Sequence, residues 1–465
     1  MTGPQANSYI KNNRHKVNLK YRLKFHAMPE LGWMNDPNGL AFFNNQYHVF
    51  YQFHPYDSVW GPMHWGHMVS EDLIKFSYLP IALAPDQDDE TGCFSGGAIV
   101  DVQNPSKMHV LYTKHFDKDG KIIEQQGLAT TEDGIHFTKH HKPVIDKQLI
   151  EPYGMITDTR DPFPYYENGF YYVILGSKDH TNQGKFLIYR SKDLHQFTYH
   201  DAIVDKKLAD SMAECPDLIQ LGNKHVFLYS RIDFKATKHR NVSEYFLGTF
   251  NLTQKHYEYQ SHGNIDSGHH FYAPQTLKDQ KGRTIMIGWM EMWGDKVVTH
   301  DLGHSWQGAL SFPRQLEVKN DQLYQFPIDE IKNYYSTTSA FKNQSLIEKT
   351  VDITINETSE PFYIRFHHET DESQFFEVRY DGQNVFVQGH TIKINPLDLK
   401  TSKYTYTSVN LRIIVDISSF EIFVNDGVEA FTSRVYMDSM GYRVMMSSQL
   451  TGLVHVIDLG DDDHV

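Results

Sequence analysis

The chain has 465 residues, with 44 Lys or Arg against 58 Asp or Glu, so its formal net charge is −14. This acidic balance argues against binding to a polyanion such as nucleic acid, and no run of 18 apolar residues that could cross a membrane occurs. Two cysteines, Cys93 and Cys215, are too few for a disulfide framework. Residues 1–20 lack the apolar segment of a secretory signal, so we expect a cytoplasmic protein with no membrane or nucleic-acid partner.

Between residues 21 and 325, short segments rich in Tyr, Phe, Val and Ile alternate with Gly, Asp, Asn and Pro, which predicts an all-β fold. A turn motif begins at Ser70, Thr131 and Ser191, at intervals of roughly 60 residues. Hairpin signals recur with a similar period and define five units. Because a propeller blade needs four short strands, we predict a five-bladed β-propeller over residues 21–325, with an ordinary β-sandwich as the alternative.

The pattern changes after this region. A short polar stretch, Phe326–Tyr335, is predicted to be a helix or a linker. Beyond it, alternating segments such as Leu411–Val415 and Phe420–Asn425 indicate further strands. We therefore predict a C-terminal β-sandwich domain over residues 337–465.

Three carboxylates lie at the same position within their repeat units. Asp36, Asp161 and Glu214 each lie just before the first predicted strand of a unit, a position that borders the central channel of a propeller. A propeller has no structural need for three acids there, because like charges repel and raise one another's pKa. Paired carboxylates in different environments suit hydrolysis of a glycosidic bond, in which one acid protonates the leaving oxygen and another attacks the sugar.

Aromatic and polar residues crowd the same loops. Aromatic rings there can carry the apolar faces of sugars, and polar side chains can bind hydroxyl groups. Arg160 is expected to fix the carboxylate beside it, whereas we expect Trp65 to fill a gap between blades. The predicted substrate-binding residues are Trp33, Asn35, Gln52, Trp60, Phe94, Ser95, Arg160, Tyr272 and Trp293.

Several segments resemble the signature motifs of glycoside hydrolase family 32, which includes invertases, sucrose-6-phosphate hydrolases and fructanases. The resemblance covers nearly the whole chain. Its main motifs are Trp33-Met34-Asn35-Asp36-Pro37-Asn38-Gly39, Phe94-Ser95-Gly96, Arg160-Asp161-Pro162 and Glu214-Cys215-Pro216.

The resemblance implies a five-bladed propeller followed by a β-sandwich, and a retaining β-fructofuranosidase that needs no metal or organic cofactor. It implies that Asp36 is the nucleophile, which starts ionised, and that Glu214 is the acid/base, which starts protonated. Asp161 would stabilise the transition state by binding fructose hydroxyls. The chain departs from the family at Trp306-Gln307-Gly308, a change expected to alter the pocket beyond the fructose site.

Two metal sites are weighed and set aside. His64 and His67 would point to opposite faces of a strand, which favours packing over zinc binding. Asp117-Lys118-Asp119-Gly120 begins like a calcium loop but lacks its remaining ligands, so we predict a hairpin turn.

The substrate is not fixed by the sequence. Sucrose, sucrose 6-phosphate and short fructo-oligosaccharides all stay open, as do transfer of fructose to a sugar and carbohydrate binding without catalysis. A phosphate would require cations at the pocket rim. Arg231, Lys235, Lys296 and His304 lie in predicted loops that could reach it, although solvated surface positions are the favoured interpretation for each. Whether the sandwich domain forms a homodimer is also left open.

Overall fold

A computed structural model describes residues 2–87, 89–238, 240–392, 395–447 and 449–460. Within these ranges the strands form seven sheets, arranged as a five-bladed propeller followed by a β-sandwich. The first, second and third blades each contribute four antiparallel strands in chain order. These strands are β1 (Gly32–Phe43), β2 (Gln46–His54), β3 (His64–Ser70) and β4 (Ser77–Leu83); β5 (Gly92–Val100), β6 (Met108–Lys118), β7 (Lys121–Thr131) and β8 (Thr138–Lys139); and β9 (Thr159–Glu167), β10 (Phe170–Lys178), β11 (Gly184–Ser191) and β12 (Thr198–Val204).

The fourth and fifth blades complete the ring. Their strands are β13 (Ser211–Leu221), β14 (Lys224–Asp233), β15 (Asn241–Asn251) and β16 (His256–Asn264); then β17 (Tyr272–Lys278), β18 (Thr284–Trp289), β20 (Arg314–Lys319) and β21 (Gln322–Pro327). A short strand, β19 (Trp306–Gln307), leaves the fifth blade and pairs in parallel with β1. The last part of the propeller chain is therefore joined to its first strand.

Hairpin and turn residues explain where the blade strands end. Asn44 and Asn45, with φ of 49° and 62°, join β1 to β2 in the left-handed conformation that Asn tolerates and tight hairpins require. In the recurring turn motif, the Ser70 hydroxyl accepts the Leu73 backbone N–H at 2.7 Å. This motif follows the third strand of the first three blades, which explains its 60-residue period.

Helices are few and short. The α-helices are α1 (Gly3–Asn13), α2 (Lys147–Ile150) and α3 (Val298–Asp301), and the 3₁₀ helices span Arg14–Lys16, Lys206–Leu208 and Asp329–Tyr334. The stretch expected to be a helix or a linker thus contains a 3₁₀ helix between the propeller and the sandwich.

The sandwich consists of two six-stranded sheets. Its strands in chain order are β22 (Tyr335–Ala340), β23 (Leu346–Ile347), β24 (Thr350–Thr358), β25 (Phe362–His368), β26 (Phe375–Tyr380), β27 (Val385–His390), β28 (Pro396–Thr401), β29 (Val409–Asp416), β30 (Ser419–Val424), β31 (Glu429–Arg434), β32 (Tyr442–Met446) and β33 (Gly452–Ile457). The sheet orders are β22-β33-β24-β29-β30-β31 and β23-β32-β25-β26-β27-β28. Buried Val, Ile, Leu and Phe side chains from both sheets form one core between them.

The sandwich packs on the propeller through a buried cluster of charges. The Arg314 guanidinium contacts Glu421 at 2.6 Å and Asp266 at 3.0 Å, and these three side chains are almost completely buried. The His26 ring lies between Asp416 and Glu421, at 2.7 and 3.0 Å. Because both carboxylates of the sandwich are paired with residues of the propeller side, this interface holds the two parts in one orientation.

Candidate active site

The first strand of every blade is irregular at the same place. Its pairing with the second strand shifts register, as in a β-bulge, which adds backbone length and re-aims a side chain. The shifts lie between Met34 and Pro37, Phe94 and Gly96, Arg160 and Phe163, Glu214 and Asp217, and Tyr272 and Gln275.

These bulges contain the motif residues. The sequence predicted that the motifs precede the first strands, whereas they lie inside β1, β5, β9, β13 and β17, because pairing with the second strand resumes on both sides of each bulge. Asp161 and Cys215 have φ of 61° and 46°, a conformation that few non-glycine residues adopt. Strained backbone of this kind is concentrated at functional sites.

Asp36, Asp161 and Glu214 line one cavity of about 980 Å³. They come from the first, third and fourth blades, which are far apart in the chain. All of the predicted binding residues except Trp33 also line this cavity: Asn35, Gln52, Trp60, Phe94, Ser95, Arg160, Tyr272 and Trp293. Trp33 lies behind the wall, where its Nε1 donates to Asn35 Oδ1 at 2.8 Å and its ring packs on Trp289 and Trp293.

The Asp36 carboxylate is buried and incompletely partnered. Its Oδ2 accepts the Ser95 hydroxyl at 2.8 Å, while its Oδ1 has no hydrogen-bond partner among the described residues. Burial raises the pKa of Asp36 to about 6, the negative charge of Glu214 adds to this, and the bonds from Ser95 and Asn35 oppose it. One oxygen atom of Asp36 is therefore free to react.

The Asp161 carboxylate is held by the neighbouring blade. Its Oδ2 accepts the backbone N–H of Cys215 at 2.9 Å, and the Cys215 thiol lies 3.4 Å away. Burial raises the pKa of Asp161 to about 7; Arg160 opposes the shift, and the charges of Glu214 and Asp36 add to it. Since the bulge of the fourth blade fixes Asp161, two blades cooperate in orienting this acid.

Glu214 is surrounded by donors. Arg160 Nε and Nη2 donate to its Oε1 at 3.1 and 2.6 Å, and the Tyr272 hydroxyl donates to its Oε2. Arg160 Nη1 also contacts the buried Glu124 carboxylate at 3.3 Å. Although burial opposes the charged form, Glu124, Glu214 and Asp161 raise the pKa of Arg160 well above its usual range.

The expected split between an ionised Asp36 and a protonated Glu214 stays a prediction. Donors that point at Glu214 favour its carboxylate form, while burial favours the protonated forms of Asp36 and Asp161. The charges of neighbouring acids add to the raised pKa of both Asp36 and Asp161.

The aromatic rim lies on one side of the cavity. Trp60 is 50% exposed and its ring meets Phe94 edge-on, with ring centroids 6.0 Å apart. Phe94 in turn stacks on His115, with centroids 3.9 Å apart. Trp60 is therefore an exposed aromatic side chain on the wall of the cavity, whereas Trp65 is fully buried and fills the core, as predicted.

Glu124, His115, Lys238 and Arg240 also line the cavity and were missed in the sequence. Glu124 lies on β7, the third strand of its blade, and His115 lies on β6, so neither belongs to the repeat phase that identified the carboxylates. The sequence around Glu124 contains no motif that would mark this residue as part of a site.

The four cations proposed for phosphate binding do not line the cavity. Arg231 is paired with Glu244 and Asp233, and Lys235 is exposed and paired with Asp210. Lys296 is exposed, and His304 is buried against Tyr21. Lys238 and Arg240, on the loop that follows β14, are the cations that lie there together with Arg160.

Gln307 is also not a pocket residue, contrary to the expectation from the sequence. Its side chain is buried, accepts the Thr299 N–H at 2.9 Å and donates to Glu291 at 3.1 Å. Because β19 pairs with β1, the side chain of Gln307 points into the packing behind the site.

The two histidines weighed as zinc ligands have separate contacts. His64 Nδ1 faces the Pro62 carbonyl oxygen at 2.9 Å, and His67 Nε2 faces His48 Nδ1 at 3.0 Å. Across the described residues, no group of three or more His, Cys, Asp or Glu is arranged to hold a metal ion. Among the same residues, no helix is long and apolar enough to span a membrane.

A propeller with acids from three blades in one cavity defines a carbohydrate-active hydrolase, and comparisons with known proteins agree. The model for the N-terminal domain of glycosyl hydrolases family 32 matches residues 26–327, and that for the C-terminal domain matches residues 324–456. The chain therefore belongs to glycosyl hydrolase family 32 and is a glycoside hydrolase.

Individual relatives match over most of their length. The chain is 33% identical to a sucrose-6-phosphate hydrolase of Escherichia coli, with 89% of this chain and 88% of the relative aligned. The structure of a sucrose-6-phosphate hydrolase from Lactobacillus gasseri has a TM-score of 0.88 and 26% identity, covering 97% of this chain and 96% of that one. A mutant of a Bombyx mori GH32 β-fructofuranosidase in complex with sucrose has a TM-score of 0.85 and 30% identity, covering 98% of this chain and 97% of that one.

Proposed function

We propose that the chain is a retaining β-fructofuranosidase that releases terminal β-D-fructofuranosyl residues from sucrose-type substrates. The observation that carries this proposal is the convergence of Asp36, Asp161 and Glu214 on one cavity beside an exposed aromatic face. The relatives named as sucrose-6-phosphate hydrolases and as a β-fructofuranosidase support the substrate class. The presence of all three acids favours catalysis over carbohydrate binding alone.

The first chemical step joins the fructosyl group to the enzyme. The free Oδ1 of Asp36 forms a bond to C2 of the fructosyl unit while the bond from C2 to the glycosidic oxygen breaks. Glu214 gives its proton to the departing oxygen, and Asp161 binds fructose hydroxyls as positive charge develops on the ring. In the second step a water molecule gives a proton to Glu214, its oxygen bonds to C2, and the Asp36 carboxylate leaves.

The protons within the acid group must therefore move when substrate binds. Asp36 reacts as a carboxylate, and above pH 6 its ionised form predominates. The proton that Glu214 needs comes from the coupled group of acids, in which burial keeps Asp161 partly protonated near neutral pH.

Product analysis tests this proposal. With sucrose, we expect free glucose and fructose in equal amounts, with β-fructofuranose as the first anomer seen by NMR. If no fructose is released from sucrose, the proposal is contradicted. A predominance of tri- and tetrasaccharides at high sucrose would make the enzyme a fructosyltransferase instead.

We further propose that sucrose 6-phosphate is preferred to sucrose. Lys238 and Arg240 line the same cavity, and neither forms an ion pair with a carboxylate among the described residues. The Arg240 side chain donates from Nε to the Asp233 carbonyl oxygen at 3.4 Å. Unpaired cations facing a sugar site suit a phosphate, which accepts charge-assisted hydrogen bonds.

The paired substitution Lys238→Ala and Arg240→Ala tests this preference. We expect the ratio of kcat/KM for sucrose 6-phosphate to that for sucrose to fall by roughly 10- to 100-fold, since hydrogen bonds between charged groups are involved. Lys235→Ala is the matched control, because this lysine of the same loop is exposed and lies outside the cavity. An unchanged ratio in the double variant would contradict the phosphate site.

The division into residues 21–325 and 337–465 stays a prediction, as does a homodimer. A cytoplasmic location is also proposed, and the two buried cysteines that remain free thiols support a reducing compartment.

A further inference from the structure

Arg160 is shared between two carboxylates. Its Nε and Nη2 donate to Glu214, and its Nη1 lies 3.3 and 3.5 Å from the two oxygen atoms of Glu124. The Glu124 side chain is 2% exposed, so little water screens its charge. One cation therefore balances the charges of two buried acids.

Glu124 is held by one contact from the next blade and one from its own blade. Its Oε2 accepts the Thr159 backbone N–H at 3.0 Å, directly before Arg160 in β9. On its other side, the His115 ring lies 3.4 Å from Oε1 and stacks on Phe94 at the rim of the cavity. Glu124 thus contacts Arg160 and lines the same cavity as the three acids of the bulges.

A charge argument gives this contact a role. An arginine that served Glu214 alone would hold it as a carboxylate, as would the Tyr272 hydroxyl. A carboxylate cannot protonate a leaving oxygen. A second carboxylate on the far side of Arg160 offsets part of its positive charge and reduces this hold on Glu214.

We propose that Glu124 is a positioning residue for the reaction, which orients Arg160 and balances its charge so that Glu214 can carry a proton to the leaving group. This inference rests on the proposed function of Glu214 as the acid/base. The groups that face Glu214 and Glu124 from the surrounding strands are Asp36, His115, Arg160, Asp161, Cys215 and Tyr272.

The test compares two substrates in the variant Glu124→Gln, which keeps the size of the side chain and removes its charge. Sucrose has an alcohol as leaving group, which needs a proton, whereas p-nitrophenyl β-fructofuranoside releases a phenolate, which does not. We expect kcat/KM at pH 7.5 to fall by about 10-fold for sucrose and by no more than about twofold for the aryl substrate. Because both substrates are measured on one preparation, the ratio does not depend on the fraction of folded protein.

The pH profile gives a second readout. Removing a negative charge beside Arg160 favours loss of the Glu214 proton, so the alkaline limb of kcat/KM for sucrose should move to lower pH by roughly half a unit to one unit. Glu377→Gln is the matched control, since Glu377 is a buried carboxylate that accepts two bonds from Arg365 in the sandwich, away from the cavity. This variant should leave both the substrate ratio and the alkaline limb unchanged.

The outcomes separate the two proposals. If the native enzyme releases no fructose from sucrose, the proposed function fails. If the native enzyme is active but Glu124→Gln lowers both substrates by the same factor with an unchanged alkaline limb, or lowers neither, Glu124 has a structural role only and the inference is overturned.

Discussion

The cluster of buried charge between propeller and sandwich and the one in the cavity are built on opposite principles. In the cluster between propeller and sandwich, Glu421 is paired with Arg314 and His26, which together lower the pKa of Glu421 against the opposing effect of burial. In the cavity, burial prevails and raises the pKa of Asp36 and Asp161. A fully partnered carboxylate stabilises the fold, whereas an incompletely partnered one is kept reactive.

The largest effect is expected where the reactive cluster loses its nucleophile. Asp36→Asn should lower kcat by about 10⁴-fold or more, because no covalent intermediate can form. The control is a thermal unfolding scan, in which the variant should be no less stable than the native chain. A variant that keeps substantial activity would assign the nucleophile elsewhere.

The stability of the same variant follows from the sign of the pKa shift. A shift from 3.8 to about 6 means that ionised Asp36 destabilises the fold by about 3 kcal/mol. This cost is present at pH values above 6 and disappears as the pH falls below the ordinary value of 3.8. We therefore expect Asp36→Asn to raise the melting temperature clearly at pH 7 and much less at pH 4.

The partnered cluster should respond in the opposite way. Arg314→Met leaves Glu421 and Asp266 buried without their cation, and we expect a loss of about 3–5 kcal/mol of unfolding free energy. Denaturant unfolding measures this loss. Activity per folded molecule should change little. A variant that loses activity while remaining stable would show that the interface cluster serves catalysis rather than stability.

The pH dependence of the native enzyme sharpens the contrast. Asp36 must be ionised to attack, so kcat/KM should fall as the pH drops below about 6, while the folded fraction stays constant. A profile of initial rates with parallel fluorescence measures both quantities. An acid limb near pH 4 would mean that burial does not control this acid.

The smallest change tests one hydrogen bond. Ser95→Ala removes the hydroxyl that donates to Asp36 Oδ2, a bond that lowers the pKa of Asp36. The acid limb should therefore move to higher pH, with a decrease in kcat/KM of about tenfold at neutral pH. An unchanged limb would show that the bond orients the carboxylate without affecting its charge.

The propeller architecture could be predicted from the sequence because turns and repeats are local signals. The motif from Ser70 recurs in the first three blades, and hairpin signals such as Asn44-Asn45 recur with a similar period, so their spacing predicted five units and the common position of Asp36, Asp161 and Glu214. The family match and the all-β model confirm this fold.

The features that were not predicted depend on contacts between residues that are far apart in the sequence. Glu124 contacts Arg160 from a neighbouring blade, Gln307 turns away from the pocket because β19 pairs with β1, and the helix α1 was not predicted. The phosphate candidates failed for a related reason, since the orientation of a loop decides which of its cations face the cavity.

The pairing of β19 with β1 has a consequence for the order of events during synthesis. Trp33, the second residue of β1, aligns with Gln307. The strand that carries Asp36 therefore lacks this neighbour until more than 270 further residues have left the ribosome. Such a distant closure is slow compared with local hairpins. The second, third and fourth blades can fold before it, whereas β20 and β21 of the fifth blade follow β19 in the chain. The nucleophile acquires its final surroundings only when the ring is shut, and a growing chain that lacks Trp306 and Gln307 should not cleave its substrate.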